Sequence, residues 1–157
     1  MLFSTIIGGY FCTPVNATII GWENCIHYCF IEGYGEMVFA VNPESCVEKY
    51  VYPLAVNFED FLRLILVTGS TTAIEQIVGW DAKQFGEFVQ SDDNKYVFGQ
   101  AEVLENIQKK LRLEPMSNPF EYVKSIQKEF DDSKIIYSDE YYDTLGIDRF
   151  DGTENPK

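Results

Sequence analysis

The stretch Glu32–Leu66 reads EGYGEMVFAVNPESCVEKYVYPLAVNFEDFLRLIL and decides the fold of this chain. It opens with a glycine-rich turn, continues as an apolar strand, and reaches the turn signal Asn42-Pro43. Asn57 is a good helix N-cap, and the apolar residues after it recur at helical spacing. The stretch therefore predicts a turn, a strand, a further short strand and then an amphipathic helix.

Strand-like sequence also extends from this stretch towards the N-terminus, where β-branched and aromatic residues dominate. Pro14 interrupts the first run, because proline cannot donate to a strand ladder, and it predicts a turn or an edge there. Short turns between consecutive strands favour antiparallel pairing. The predicted strands are Ser4–Cys12, Val15–Ile20, Ile26–Glu32, Met37–Val41 and Lys49–Leu54.

The second half of the chain changes to helical periodicity. The predicted helices, with their caps, are Asn57–Gly69, Thr72–Gly79, Asp81–Val89, Ala101–Leu111 and Asn118–Phe130. Strands first and helices after predict an α+β fold, with an antiparallel sheet from the N-terminal half packed against helices from the C-terminal half. We expect a single domain over residues 1–147 and a flexible acidic tail over residues 148–157.

The chain is strongly acidic, with a formal net charge of -13 over 157 residues. Acidic surfaces repel phosphate, so nucleic acid is not expected as a direct ligand, whereas a basic protein partner is compatible. No stretch reaches the ~20 apolar residues of a membrane span, which predicts no membrane partner. No basic residue precedes the apolar N-terminus, which argues against a secretory signal. We expect a cytoplasmic protein.

Candidate catalytic chemistry rests on Cys25, His27 and Cys29, since His27 is the single histidine of the chain. On a strand these side chains share one face, so a thiol–imidazole pair or a zinc site is one interpretation. Neighbours on one strand rarely converge on a tetrahedral ion, which favours cysteines packed as small apolar side chains. Glu32 and Glu36 flank the turn, and a solvent-facing pair is favoured over an acid–base or metal pair. We therefore predict no catalytic residues, no metal and no cofactor.

Two segments within Glu32–Leu66 resemble sequence motifs of a known family. The first is Gly35-Glu36 leading to Val38-Phe39-Ala40-Val41-Asn42-Pro43, and the second is Tyr52-Pro53-Leu54-Ala55 leading to the helix Phe58-Glu59-Asp60-Phe61-Leu62. Over roughly Trp22–Leu66 the chain resembles the SUKH superfamily, which includes proteins similar to the yeast regulator of cell-wall glucan synthesis. Members usually open with a helix before the sheet, whereas this chain opens with strand-like sequence.

The resemblance implies an α+β domain that binds proteins. Bacterial members look like immunity proteins that neutralise toxins, often nucleases, and an acidic inhibitor would attract a basic toxin through long-range electrostatics. The expected partner contacts are Trp22, Glu32, Tyr34 and Glu36 near the turn, and Asp139 and Glu140 in the acidic C-terminal region. Two alternatives stay open: a regulatory scaffold related to cell-wall synthesis, and a small metal- or thiol-dependent enzyme built on Cys25, His27 and Cys29.

Overall fold

A computed structural model describes residues 8–94 and 99–149 of the chain. Its described residues contain one four-stranded antiparallel sheet, in which the strands follow the order β1-β2-β3-β4. The strands are β1 Ala17–Glu23, β2 Ile26–Ile31, β3 Val38–Val41 and β4 Val51–Ala55. Helices follow the sheet and pack against it, which confirms the predicted α+β class.

The helices are α1 Phe58–Thr68, α2 Thr71–Gln76, α3 Ala82–Gln90, α4 Gln100–Leu111, α5 Pro119–Glu129 and α6 Asp139–Leu145, and a 3₁₀ helix spans Asp92–Asn94. The first five α-helices lie where helical periodicity predicts them. Helix α6 lies where no helix is predicted, because seven residues are too few to display a clear apolar period. None of the helices in the described ranges combines the length and the apolarity needed to cross a membrane.

The sheet begins later in the chain than the sequence predicts. The predicted strand Ser4–Cys12 lies partly outside the described residues, and its described end leads into a turn in which the Thr13 N–H donates to the carbonyl of Tyr10 at 2.9 Å. The predicted strand Val15–Ile20 begins only at Ala17. Buried Pro14 accounts for the delay, because it closes a second turn by accepting from the Ala17 N–H at 3.2 Å.

The predicted turn between β2 and β3 is confirmed and spans residues 32–37, which we call the glycine turn. Gly33 and Gly35 take positive φ values of 98° and 65°, a region that side chains disfavour. The N–H of Tyr34 donates to the carbonyl of Ile31 at 3.1 Å and closes the first half of the turn. The two glycines thus let β3 return beside β2 in register.

One face of the sheet, the helical face, packs against α1, α2, α3 and α5. Alternate residues of the strands point to this face, since side chains alternate with period two. Its sheet residues are Ile26, Tyr28, Val38, Ala40, Tyr52 and Leu54, and its principal helical residues are Phe61, Leu64, Ala73, Ile74, Phe85 and Val123. This face is the one that the sequence predicts to be covered.

The opposite face, the terminal face, is also covered, and the sequence does not predict its cover. Its buried sheet residues are Cys29, Ile31, Phe39, Val41 and Val51. Aromatic and aliphatic side chains from both ends of the described chain pack over them, namely Tyr10, Phe11, Cys12, Phe130, Ile135, Tyr137 and Tyr141. Strands β3 and β4 are therefore buried on both faces, which explains their nearly continuous apolar sequence.

Asn57 begins α1 as predicted, and its side-chain oxygen accepts from the Asp60 N–H at 2.7 Å. Because this bond satisfies an otherwise unpaired donor, Asn57→Ala is expected to lower the free energy of unfolding by about 1 kcal/mol in urea titrations. Asn57→Asp keeps an acceptor at the cap and serves as the control. Equal stability of the two variants would contradict a capping role.

Candidate functional sites

Tyr34 attaches the glycine turn to the C-terminal part of the described chain. Its hydroxyl donates to the carbonyl of Asp131 at 2.8 Å and accepts from the backbone N–H of Lys134 at 3.0 Å. Its ring contacts those of Phe39 and Phe130 at centroid distances of 5.3 and 5.4 Å. Burial raises the pKa of the Tyr34 hydroxyl, so it stays neutral at physiological pH. Tyr34 therefore holds the turn in place.

Further hydrogen bonds fix the same turn from two other directions. The Lys134 Nζ donates to the carbonyl of Gly33 at 3.0 Å and lies 5.6 Å from the centre of the Tyr34 ring. The side-chain amide of Asn16 donates to the carbonyls of Glu32 and Lys134, both at 3.1 Å. These bonds satisfy the turn backbone without using the Glu32 carboxylate, which leaves that group facing solvent.

An exposed apolar patch lies beside the glycine turn. Phe58 and Val56 are each 44% exposed, and the Phe58 ring meets the Phe30 ring edge-on at 6.3 Å. A shallow cavity of about 350 Å³ is lined by Phe30, Gly35, Glu36 and Phe58. We call Glu32, Tyr34, Glu36, Val56 and Phe58 the turn surface. It combines apolar side chains with two carboxylates that form no ion pair with any residue the structure describes.

Trp22 does not belong to this surface, although the sequence places it there. Trp22 pairs with His27 in the β1–β2 ladder. The end of that ladder nearest the glycine turn is the pair Ala17 and Ile31. At about 3.3 Å per residue, Trp22 therefore lies roughly 16 Å along β1 from that end. Its ring packs against His27 at a centroid distance of 4.8 Å, and it is 37% exposed. The grouping of Trp22 with the turn residues is wrong.

Asp139 and Glu140 begin α6 and are both exposed, where their charges suit the positive end of the helix. Asp139 pairs with Arg149 at 2.9 Å, so part of its charge is already neutralised. The turn surface consequently gathers three of the six predicted contacts, and the other three lie on other elements. A binding role for Asp139 and Glu140 stays a prediction.

The prediction that Cys25, His27 and Cys29 share one face is wrong. Cys29 packs on the terminal face, whereas Cys25 packs against the cluster of the helical face. The reason is that Cys25 lies in the turn before β2, next to Asn24 with a positive φ of 52°, where strand alternation does not apply. Across residues 8–94 and 99–149, no group of three or more His, Cys, Asp or Glu side chains is placed to hold a metal ion.

His27 lies in β2, opposite Trp22 of the edge strand β1, and is fully buried. Its ring stacks on Tyr10 at 5.5 Å, and its Nε2 lies 3.5 Å from the Thr13 Oγ1. Its Nδ1 has no hydrogen-bond partner among the residues that the structure describes. Burial lowers the pKa of His27 to about 4 and raises that of the Cys29 thiol to about 12. Both groups are therefore neutral at physiological pH, which suits packing better than proton transfer or thiolate chemistry.

A second candidate site, which the sequence does not predict, centres on Glu75 of α2. Glu75 is only 3% exposed, and the Tyr28 hydroxyl donates to its Oε2 at 2.6 Å. Burial raises the pKa of Glu75 to about 7, and the charge of Glu23 adds to this, while hydrogen bonds from Tyr28 and Gln76 act in the opposite direction. Glu75 is the single charged residue of α2, and this is the one feature of the sequence that could have drawn attention to it.

Glu75 lines a cavity of about 600 Å³, which we call the α2 cavity. It is lined by the turn between β1 and β2, the loop between β3 and β4, and α2, so it lies at the end of the sheet opposite the glycine turn. Tyr52 and Trp80 supply aromatic walls. Glu44 lies in the lining with its Oε2 3.7 Å from the Cys25 Sγ. A buried carboxyl group and two aromatic side chains thus line one open cavity.

Comparisons with known proteins identify no relative. No family model matches the chain, and searches of curated proteins and of solved structures return no significant match. The class that the structure defines is an α+β domain with a four-stranded antiparallel sheet covered on both faces. The SUKH resemblance stays a prediction.

Proposed function

We propose that this protein is a cytoplasmic, non-enzymatic binding domain whose turn surface binds a basic protein, as an immunity protein binds a toxin. The observation that supports this most directly is the exposure of Val56 and Phe58 near the glycine turn, where Phe58 shares a cavity with Glu36 and Val56 shares another with Tyr34. The whole chain carries a net charge of -13, so its long-range field attracts a positively charged partner.

The composition of the turn surface matches that of protein interfaces. Such interfaces have an apolar centre, often aromatic, and a polar rim, and the centre supplies most of the binding energy. Phe58 is the exposed aromatic side chain at the centre, and Glu32 and Glu36 stand at the rim. Rim carboxylates select a basic partner and raise the association rate. The hydrogen bonds that hold the glycine turn also reduce the entropy lost on binding.

The non-enzymatic part of the proposal is supported by the burial of the candidate catalytic residues. His27 is fully buried between the stacked ring of Tyr10 and the edge-on ring of Trp22, so an external substrate does not reach it, and its lowered pKa makes it a weak base. The Cys29 thiol lies in the core of the terminal face.

The partner is sought first among the products of neighbouring genes. We expect co-expression of this chain with a basic protein encoded next to it to yield a complex that survives size-exclusion chromatography. If the neighbouring gene encodes a toxin, the same co-expression should also restore growth of cells that produce it. If none of the basic proteins encoded by neighbouring genes forms a complex with this chain, the immunity proposal is contradicted.

Phe58→Ser should weaken such a complex about tenfold or more, because it removes the exposed aromatic centre of the turn surface. Glu36→Lys should mainly slow association, and the slowing should diminish at high salt. Surface plasmon resonance separates the two effects. Glu102→Lys is the control, because it makes the same charge change on α4, away from the turn surface. Helix α4 contacts the opposite end of α1 from Phe58, where the Gln100 side chain donates a hydrogen bond to the carbonyl of Gly69. Equal effects of Glu36→Lys and Glu102→Lys would show non-specific charge attraction and contradict the proposed surface.

A further inference from the structure

We propose that the α2 cavity binds a small organic cation, an alkyl ammonium or guanidinium compound, at a site separate from the turn surface. The cavity volume of about 600 Å³ falls within the range of roughly 300–1,000 Å³ typical of small-molecule sites. Its location at the opposite end of the sheet means that a ligand there and a partner on the turn surface occupy different places.

The buried carboxyl group of Glu75 defines the deep end of this site. Its Oε2 is fixed by the Tyr28 hydroxyl at 2.6 Å, and the Tyr28 ring is itself packed against Phe61 at 5.4 Å. The carboxyl group is therefore held in one orientation before any ligand arrives. An ionised carboxylate in such a place is costly unless a positive charge accompanies it. A ligand that brings this charge gains energy from a group that is otherwise poorly compensated.

The rest of the lining favours an organic cation over an anion or a neutral compound. Among the lining residues, Glu44 adds a second carboxylate, and no lysine, arginine or histidine is present to attract an anion. The aromatic rings of Tyr52 and Trp80 can stabilise a positive charge through their π faces. Asn42 and Gln76 add amide oxygens that accept hydrogen bonds from N–H groups. The lining thus provides charge, aromatic walls and acceptors for one cationic group.

Agmatine, which carries a primary amine and a guanidinium group, is a suitable probe for calorimetric titration of the full chain at pH 8. We expect saturable one-to-one binding, and pentanamide, a neutral amide, should not bind. Glu75→Gln should weaken agmatine binding about tenfold or more, because it removes the charge from a buried hydrogen-bonded group. Glu44→Gln should weaken it less, since that carboxylate is exposed. Glu48→Gln, in the same loop but outside the lining, is the matched control and should bind normally.

The variants are expected to fold, because a glutamine at position 75 still accepts from the Tyr28 hydroxyl, and thermal unfolding checks this. The proposal is overturned if agmatine shows no saturable binding, or if Glu75→Gln and Glu44→Gln both bind it like the wild type. A capped Gly-Arg-Gly peptide that binds more tightly than agmatine would assign the site to a polypeptide side chain and overturn the small-molecule assignment. Phe58→Ser should bind agmatine normally, which separates this test from that of the turn surface.

Discussion

Phe39→Ala is expected to lower the free energy of unfolding by about 3–5 kcal/mol, the usual cost of truncating a buried phenylalanine. Phe39 is fully buried at the centre of the terminal face. Its ring contacts Phe130 at 5.4 Å and Tyr34 at 5.3 Å, so it joins the sheet to both the C-terminal segment and the glycine turn. Removing the ring leaves a cavity that the hydrogen-bonded turn cannot easily fill.

Urea unfolding followed by circular dichroism measures this loss. Phe58→Ala is the matched control, because the same side chain is removed at a position that is 44% exposed, and the expected loss is smaller. Equal losses of stability in Phe39→Ala and Phe58→Ala would contradict the burial of the terminal face. The packing of residues from both ends of the described chain over that face would then be wrong.

Glu75→Gln is expected to stabilise the protein at pH 8 by about 1–3 kcal/mol and to change its stability little near pH 4. The pKa of Glu75 is raised from 4.5 to about 7 in the folded state, so the folded protein binds a proton more tightly than the unfolded chain does. The contribution of Glu75 to stability consequently falls as pH rises through this interval and stays reduced above it, whereas His27, whose pKa is lowered from 6.5 to about 4, contributes in the opposite direction in both the wild type and the variant. Glutamine cannot ionise, so the fall should disappear in the variant.

The two tyrosine hydroxyls near Glu75 do not titrate in this pH window. Burial raises the pKa values of Tyr28 and Tyr52 far above neutrality, so both hydroxyls stay protonated between pH 4.5 and 7. The charge of Glu23 faces Glu75 and raises its pKa further. Unfolding in urea at pH 5 and pH 8 tests the effect, with Glu48→Gln as an exposed control. Parallel pH dependence in Glu75→Gln and the wild type would contradict an ionising buried Glu75.

Local chemistry accounts for the parts of the fold that the sequence predicts well. The glycine turn needs residues that accept positive φ, and Gly33 and Gly35 provide them. The caps of α1 and α3 are formed by side chains within three residues of the bonds they make, as in the capping box of Asp81 and Gln84 at 2.8 and 3.0 Å. Such features depend on neighbouring residues alone, so they can be read from the sequence.

The terminal face and the α2 cavity depend on contacts between distant residues, and local patterns do not reveal them. Phe11 and Tyr141 lie far apart in the chain, yet their rings stack at 6.3 Å over the sheet. Both belong to short or irregular segments without a strong apolar period. Glu75 is similar, because its burial and its bond to Tyr28 arise only when α2 packs on the sheet. The turn surface was partly predictable, since Glu32, Tyr34 and Glu36 are close in sequence, whereas Phe58 approaches them only in the fold.

Hydrogen–deuterium exchange on a complex with a basic protein from a neighbouring gene tests the central claim most directly. If the turn surface binds that partner, amides within residues 32–37 and 56–58 should become protected in the complex, while those of α4 keep their free-state exchange. Protection confined to α4 or α6, with the glycine turn exchanging as in the free protein, would contradict the proposed surface.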